Sequence, residues 1–256
     1  MNQNLTEIIF ILDRSGSMWG IKEDAIGGFN SMMEEQRKID GDANVTLVLF
    51  DHEVEFVSDG VDINEVKDLT NETYVPDGLT AMYDAVGLAV SRVGKRLSET
   101  PENERPAKVI VAVMTDGMEN ASKEYTSNRV QEMVKHQTDV YSWQFMFLGA
   151  NIDSVSTAKT IGIKGSLAGN FTASSDGVSS AYMRTNSMMS SYRSTGEMPE
   201  MKDEASASAS ASETTTLVGD NGEETIVPLN SGRTIGEALK GILPRIQKAL
   251  DKEEKE

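Results

Sequence analysis

The chain has 256 residues, a length that fits one large α/β domain with a small appendage. Its formal charge of −17 disfavours DNA, RNA and anionic membranes as partners and favours divalent cations and basic protein surfaces. The absence of cysteine excludes thiol catalysis, disulfides and thiolate metal sites.

The chain opens Met1-Asn2-Gln3-Asn4, without the basic region or cleavage site of a signal peptide. No apolar run approaches the roughly 20 residues of a membrane span. The expectation is a soluble, cytoplasmic protein. The run Ile8-Ile9-Phe10-Ile11-Leu12 is continuous, apolar and β-branched, and predicts a strand buried on both faces. A helix is expected over residues 17–39, with Ile21, Ala25, Ile26, Phe29, Met32 and Met33 at helical spacing. Strands follow at 45–50 and 54–57, joined by the turn Asp51-His52-Glu53 and therefore antiparallel, the shorter at an edge.

Residues 80–97 read as a strongly amphipathic helix through Ala81, Ala85, Val86, Leu88, Ala89, Val93 and Leu97. A third buried strand spans 109–114 and ends in Thr115-Asp116-Gly117. A helix at 127–136, a strand at 143–148 and a helix capped by Asp153 come next. A weaker strand at 167–172 and a helix at 176–193, with Asp176 near its cap, complete the pattern. Alternating strands and helices imply a doubly wound, mostly parallel sheet covered on both faces. Its ligands belong beyond the carboxyl ends of the strands. The polar residues after Leu12, Met114 and Leu148 collect there.

The domain is expected to occupy residues 1–196. The Ala-Ser repeat within 197–213 reads as a flexible linker. Residues 214–256 are expected to form a small ββα extension. Its hairpin turns at Asp220-Asn221-Gly222, and Ile235, Leu239, Ile242, Leu243, Ile246 and Leu250 make an amphipathic stripe.

The segment Asp13-Arg14-Ser15-Gly16-Ser17 follows the first strand directly. Thr80 stands in a Gly-Leu-Thr turn opening a helix, and Asp116 in a Thr-Asp-Gly turn closing a strand. Together these resemble the metal-ion-dependent adhesion site (MIDAS) of a von Willebrand factor A (VWA) domain. Asp13, Ser15 and Ser17 match the first loop, Thr80 the second and Asp116 the third. The resemblance covers roughly residues 5–195. Residues 76–85 and 113–120 look most like the bacterial and phage cytoplasmic branch. It implies a Rossmann-like six-stranded sheet of order 3-2-1-4-5-6 with strand 3 antiparallel. It also implies a protein-binding role, in which the matching carboxylates act mostly through water, and partners that include AAA+ ATPases.

The donor chemistry agrees. Hydroxyls and carboxylates are hard oxygen ligands suited to Mg²⁺, Mn²⁺ or Ca²⁺ rather than Zn²⁺. With Ser15, Ser17 and Thr80 supplying neutral oxygens, the ion stays electrophilic and can take a carboxylate from a partner protein. Met18, Trp19, Gly78, Leu79, Glu119, Asn120 and Asn151 are expected to ring it. Singly, each polar residue reads as a helix cap or a turn; the order of the three loops favours the metal.

Two other readings stand beside this one. A metal-stabilised scaffold needs no partner. A Mg²⁺-dependent phosphohydrolase would use Asp13 as nucleophile, but Ser15 stands where a second acid is required. His52 and His136 read as surface residues, so no Ser-His-Asp triad is expected, and the protein is expected not to be an enzyme.

Overall fold

The computed structural model describes residues 1–201 and the strands Thr214–Val218 and Glu224–Pro228. The chain divides into two compact units, Met1–Met201 and Lys202–Glu256. In the first, β1 (Asn2–Asp13) leads through a 3-10 turn (Gly16–Ile21) into α1 (Lys22–Arg37). Then come β2 (Asp42–Phe50), β3 (Val54–Asp62), α2 (Met82–Glu99), β4 (Pro106–Thr115) and α3 (Ser127–Tyr141). The unit continues with β5 (Gln144–Ala150), α4 (Ser154–Thr160), β6 (Ala168–Phe171) and α5 (Ser175–Thr195).

The sheet order is β3-β2-β1-β4-β5-β6. All pairings are parallel except β2 with β3. This is the expected six-stranded arrangement. The whole run Ile8 to Leu12 is buried, so both faces of β1 are covered. Helices α1 and α5 pack together, as do α2 and α3, giving the two helical layers that burial requires. Register aligns the carboxyl ends: Asp13 lies opposite Phe50, Leu12 opposite Met114, and Met114 opposite Leu148. The loops after β1, β2, β4 and β5 therefore open at one end of the sheet.

Several boundaries differ from expectation. The helix read at 17–39 begins as the 3-10 turn and becomes α-helical only at Lys22, so Ser15 and Ser17 stay outside the regular helix. Helix α2 starts at Met82, which leaves Thr80 in the preceding loop. Strand β3 runs on to Asp62 through polar residues and two register shifts against β2, which hid it from a hydrophobic pattern. The cap of α5 is Ser174, whose side chain accepts the Gly177 N–H; Asp176 sits in the first turn. Asp153 caps α4 as expected, accepting the Ser156 N–H at 3.0 Å.

Between β3 and α2 the chain runs irregularly over 63–81. Ile63, Val66, Leu69 and Tyr74 sink into the core. From α1, Arg37 donates to the Ile63 and Val66 carbonyls, and Asn30 pairs with both backbone groups of Leu69. These bonds satisfy backbone that has no strand partner and carry Thr80 to the top of the sheet. Among the described residues no helix is long and apolar enough to cross a membrane.

In the second unit, β7 (Thr214–Val218) and β8 (Glu224–Pro228) pair antiparallel, as the hairpin pattern predicts. The 202–213 stretch, the turn at 220–222 and the 235–250 stripe lie outside the described residues.

Candidate metal centre

The first loop is built around the Asp13 carboxylate. Asp13 is fully buried at the end of β1. Its Oδ1 accepts the Ser15 N–H at 2.6 Å, and its Oδ2 accepts the Thr115 hydroxyl at 2.5 Å, joining the ends of β1 and β4. From beneath, the buried Tyr74 hydroxyl donates to the Asp13 carbonyl at 2.5 Å. Arg14 is adjacent in sequence but turns away, pairing with Asp51 at 2.9 Å and Glu55 at 2.5 Å.

The hydroxyls continue the chain of contacts. Ser15 Oγ lies 3.2 Å from Ser17 Oγ, and Ser17 donates to Asp116 Oδ1 at 2.5 Å. The second loop is tied to the first, with Gly16 N–H donating to the Gly78 carbonyl at 3.1 Å and Asp77 N–H to the Arg14 carbonyl at 2.9 Å. Gly78 has φ +65, a backbone conformation that favours glycine, and a Cβ there would also require the His52 ring to move. The third loop is tied to the second: Asn120 Oδ1 accepts the Thr80 N–H at 2.9 Å, while Asn120 N–H donates to the Thr80 carbonyl at 3.0 Å.

Gly117 marks where the loops meet. A Cβ on it would lie 3.1 Å from Thr80 Oγ1, 3.7 Å from Ser17 Oγ and 4.0 Å from Asp13 Oδ2. Oxygens from two loops and the end of β1 thus face one small space that glycine leaves open. The structure brings all five sequence-predicted residues together at the carboxyl end of the sheet. Ser17 links to Asp116 and Ser15, Asp13 to the Ser15 backbone, and Thr80 faces Ser17 and Asp13 across Gly117.

Burial raises the Asp13 pKa to about 6, against the lowering effect of its bonds to Thr115 and Ser15, and Asp116 raises it further. Burial likewise raises Asp116, opposed by the Ser17 hydroxyl. Among the described residues no salt bridge reaches either carboxylate. Nor do three or more His, Cys, Asp and Glu side chains gather as a metal cluster there. Here two carboxylates are joined by three hydroxyls, a donor set that fits a hard divalent ion.

Several expected ring residues have other tasks. Met18 is buried in the core beneath the turn. Glu119 accepts the N–H groups of Tyr83, Ala121 and Ser122 and the Ser122 hydroxyl, and Asn120 is spent on Thr80. Both shape the third loop. Asn151 takes a left-handed φ of 58 after β5. Trp19 and Leu79 are exposed, as a ring requires. The Thr-Asp-Gly turn is legible in the sequence, but the bond from Thr115 to Asp13 and the space left by Gly117 are not. Tyr74 lies in an aperiodic loop and carries no sequence signal.

The sheet order, the single antiparallel edge and the two helical layers define the VWA Rossmann-like fold. Solved structures of VWA domains share it. The vWF domain of the type V pili tip protein Mfa5 from Porphyromonas gingivalis has a TM-score of 0.54 at 10% identity, over 77% of this chain and 99% of that one. Proximal thread matrix protein 1 (PTMP1) from the mussel byssus, with its MIDAS motif occupied by zinc, has a TM-score of 0.53 at 16% identity. That match covers 73% of this chain and 46% of PTMP1, so this chain spans less than half of the mussel protein. No protein-family profile matches the sequence, and no curated protein matches it.

Proposed function

We propose that the chain is a divalent-metal-dependent protein-binding module, with Asp13, Ser15, Ser17, Thr80 and Asp116 holding one ion. The observation that carries this is the convergence at Gly117: hydroxyl and carboxylate oxygens face one space, beside two buried carboxylates that no cation pairs with among the described residues. Ser15, Ser17 and Thr80 present neutral oxygens toward the ion. Asp13 and Asp116 supply the negative charge, and Asp13 also locks the first loop to β4 through Thr115. When bound, the ion supplies an electrophilic centre able to accept a carboxylate oxygen from a partner's Asp or Glu.

Mg²⁺ is the proposed ion on donor hardness, with Mn²⁺ and Ca²⁺ as substitutes. The zinc in the PTMP1 motif adds Zn²⁺ to the ions to be titrated. The proposed role is binding, not catalysis, because Ser15 stands where a phosphohydrolase would need its acid. The resemblance of residues 76–85 and 113–120 to the bacterial and phage branch points to a cytoplasmic setting and to partners such as an AAA+ ATPase.

Affinity capture in Mg²⁺, elution with EDTA and mass spectrometry of the eluate test this directly. The expected result is a partner released by EDTA and never captured by the Asp13→Asn bait. Capture that persists in EDTA contradicts it. A Mg²⁺-dependent melting temperature with metal-independent capture would establish the scaffold reading instead.

A further inference from the structure

The rim of the candidate metal centre carries large apolar side chains turned to solvent. Trp19 is 57% exposed, Leu79 56% and Met118 72%. Each belongs to a different ligand-bearing loop: Trp19 two residues after Ser17, Leu79 one before Thr80, Met118 two after Asp116. Val75, also exposed, stands on the approach to Thr80. Scattered exposed apolar residues need no explanation, but a group on converging loops marks an interaction site.

These side chains sit on fixed backbone. Leu79 lies between Gly78, whose carbonyl accepts the Gly16 N–H, and Thr80, whose N–H and carbonyl are both bonded to Asn120. Trp19 follows the buried Met18, so the turn directs it outward. The Lys22 ammonium stands 5.2 Å over its ring and also donates to the Asn71 carbonyl. Met118 lies between Gly117 and the four-times-bonded Glu119. Little ordering remains to be done when a partner arrives, which favours affinity.

Two lysines, Lys123 and Lys22, border the same rim, although the chain as a whole carries −17. A groove of about 510 Å³ beside Thr80 is lined by His52, Gly78, Leu79, Asn120 and Lys123, among others. Lys22 lies at the Trp19 side. Both favour a partner segment of negative charge.

We propose that the partner is a protein segment in which one Asp or Glu is flanked by bulky apolar residues. The carboxylate goes to the ion, and its neighbours cover Trp19, Leu79 and Met118. A small free acid or a sugar acid would leave that apolar surface in water. This rests on the metal-binding reading above.

Three capped peptides, Leu-Asp-Leu, Gly-Asp-Gly and Leu-Asn-Leu, test it by calorimetry in Mg²⁺ and in EDTA. Tryptophan fluorescence gives a second readout, because Trp143 is buried and precedes β5 at the opposite end of the sheet. Leu-Asp-Leu is expected to bind about tenfold or more tighter than Gly-Asp-Gly in Mg²⁺, with Trp19 emission shifted. The combined Trp19→Ala and Met118→Ala variant should erase that preference while its Mg²⁺ affinity and melting temperature stay unchanged. Equal binding of Leu-Asp-Leu and Gly-Asp-Gly overturns the apolar rim and leaves the metal reading standing. Leu-Asp-Leu binding that survives EDTA, or that Leu-Asn-Leu matches, overturns the metal–carboxylate reading instead. No binding of any peptide at millimolar concentration overturns the proposal, and the Mg²⁺ titration then judges the metal site alone.

Discussion

Strand β1 carries two fully buried carboxylates, Glu7 and Asp13, on the same face. Glu7 is neutralised within the fold. Arg96 of α2 reaches it at 2.7 Å and Asp59 at 3.1 Å, while the buried Thr46 hydroxyl donates to Glu7 at 2.8 Å. Asp13 receives only an N–H and a hydroxyl. The nearest cation in sequence, Arg14, is already engaged by Asp51 and Glu55. Glu7 has its counter-ion within the chain. Asp13 has none among the described residues, and on the proposed reading its counter-ion comes from solution.

The sharpest way to break this contrast is Asp13→Asn, expected to lower divalent-metal affinity by about 100-fold or more, measured by calorimetry. Next come opposite effects on stability in EDTA. Glu7→Gln should cost about 2 kcal/mol by leaving Arg96 facing an uncharged partner, discounted because Arg96 is partly exposed. Asp13→Asn should stabilise the metal-free fold by about 1 kcal/mol, since it removes a buried charge while Thr115 can reverse its hydrogen bond. Urea unfolding of both variants checks the signs, and destabilisation by both would erase the contrast.

The pH dependence follows from the same group. Asp13 has a folded pKa of about 6, above its ordinary value of 3.8. The folded state therefore binds more protons, and this group's contribution to stability is full below about pH 4 and lost as pH rises through about 6. The stability gap between Asp13→Asn and wild type in EDTA should thus close on acidification from pH 7 to 4. Metal binding, which needs the carboxylate, should weaken over the same interval. A gap that widens toward acid contradicts the assignment.

Smaller effects sharpen the picture of the loops. Gly117→Ala puts a methyl 3.1 Å from Thr80 Oγ1 and should weaken metal affinity about tenfold with little change in melting temperature. Asp84, near the start of α2, accepts the N–H groups of Lys123, Glu124 and Tyr125 and so anchors the segment after the third loop. Asp84→Asn should cost about 1 kcal/mol of stability and only a few-fold in metal affinity. Equal effects of the two on metal affinity would mean that the space at Gly117 is no more important than the loop's outer anchorage.

The residues legible in the sequence are those whose role is set by local context. Ile8 to Leu12 announce a central strand by composition alone. Asp13, Ser15 and Ser17 announce a site by following it directly, and Asp116 does so by closing another buried strand. What stayed hidden depends on contacts distant in sequence. Nothing local marks Glu7 ahead of the apolar run, because its partner Arg96 lies 89 positions away. Tyr74 sits in a stretch without period and reaches Asp13 only after 63–81 folds across α1. Polar β3 beyond Val57 is held by pairing with β2 rather than by its own apolar face. Glu119 and Asn120 were placed near the site, but hydrogen bonds to neighbouring loops turn them to support.

A titration of Mn²⁺ followed by electron paramagnetic resonance, on wild type and Asp13→Asn at neutral pH, tests the central claim most directly. The account predicts one tightly bound ion per chain in the wild type, displaced by excess Mg²⁺, and none in the variant. No tight site in the wild type, or an undiminished site in Asp13→Asn, would contradict it.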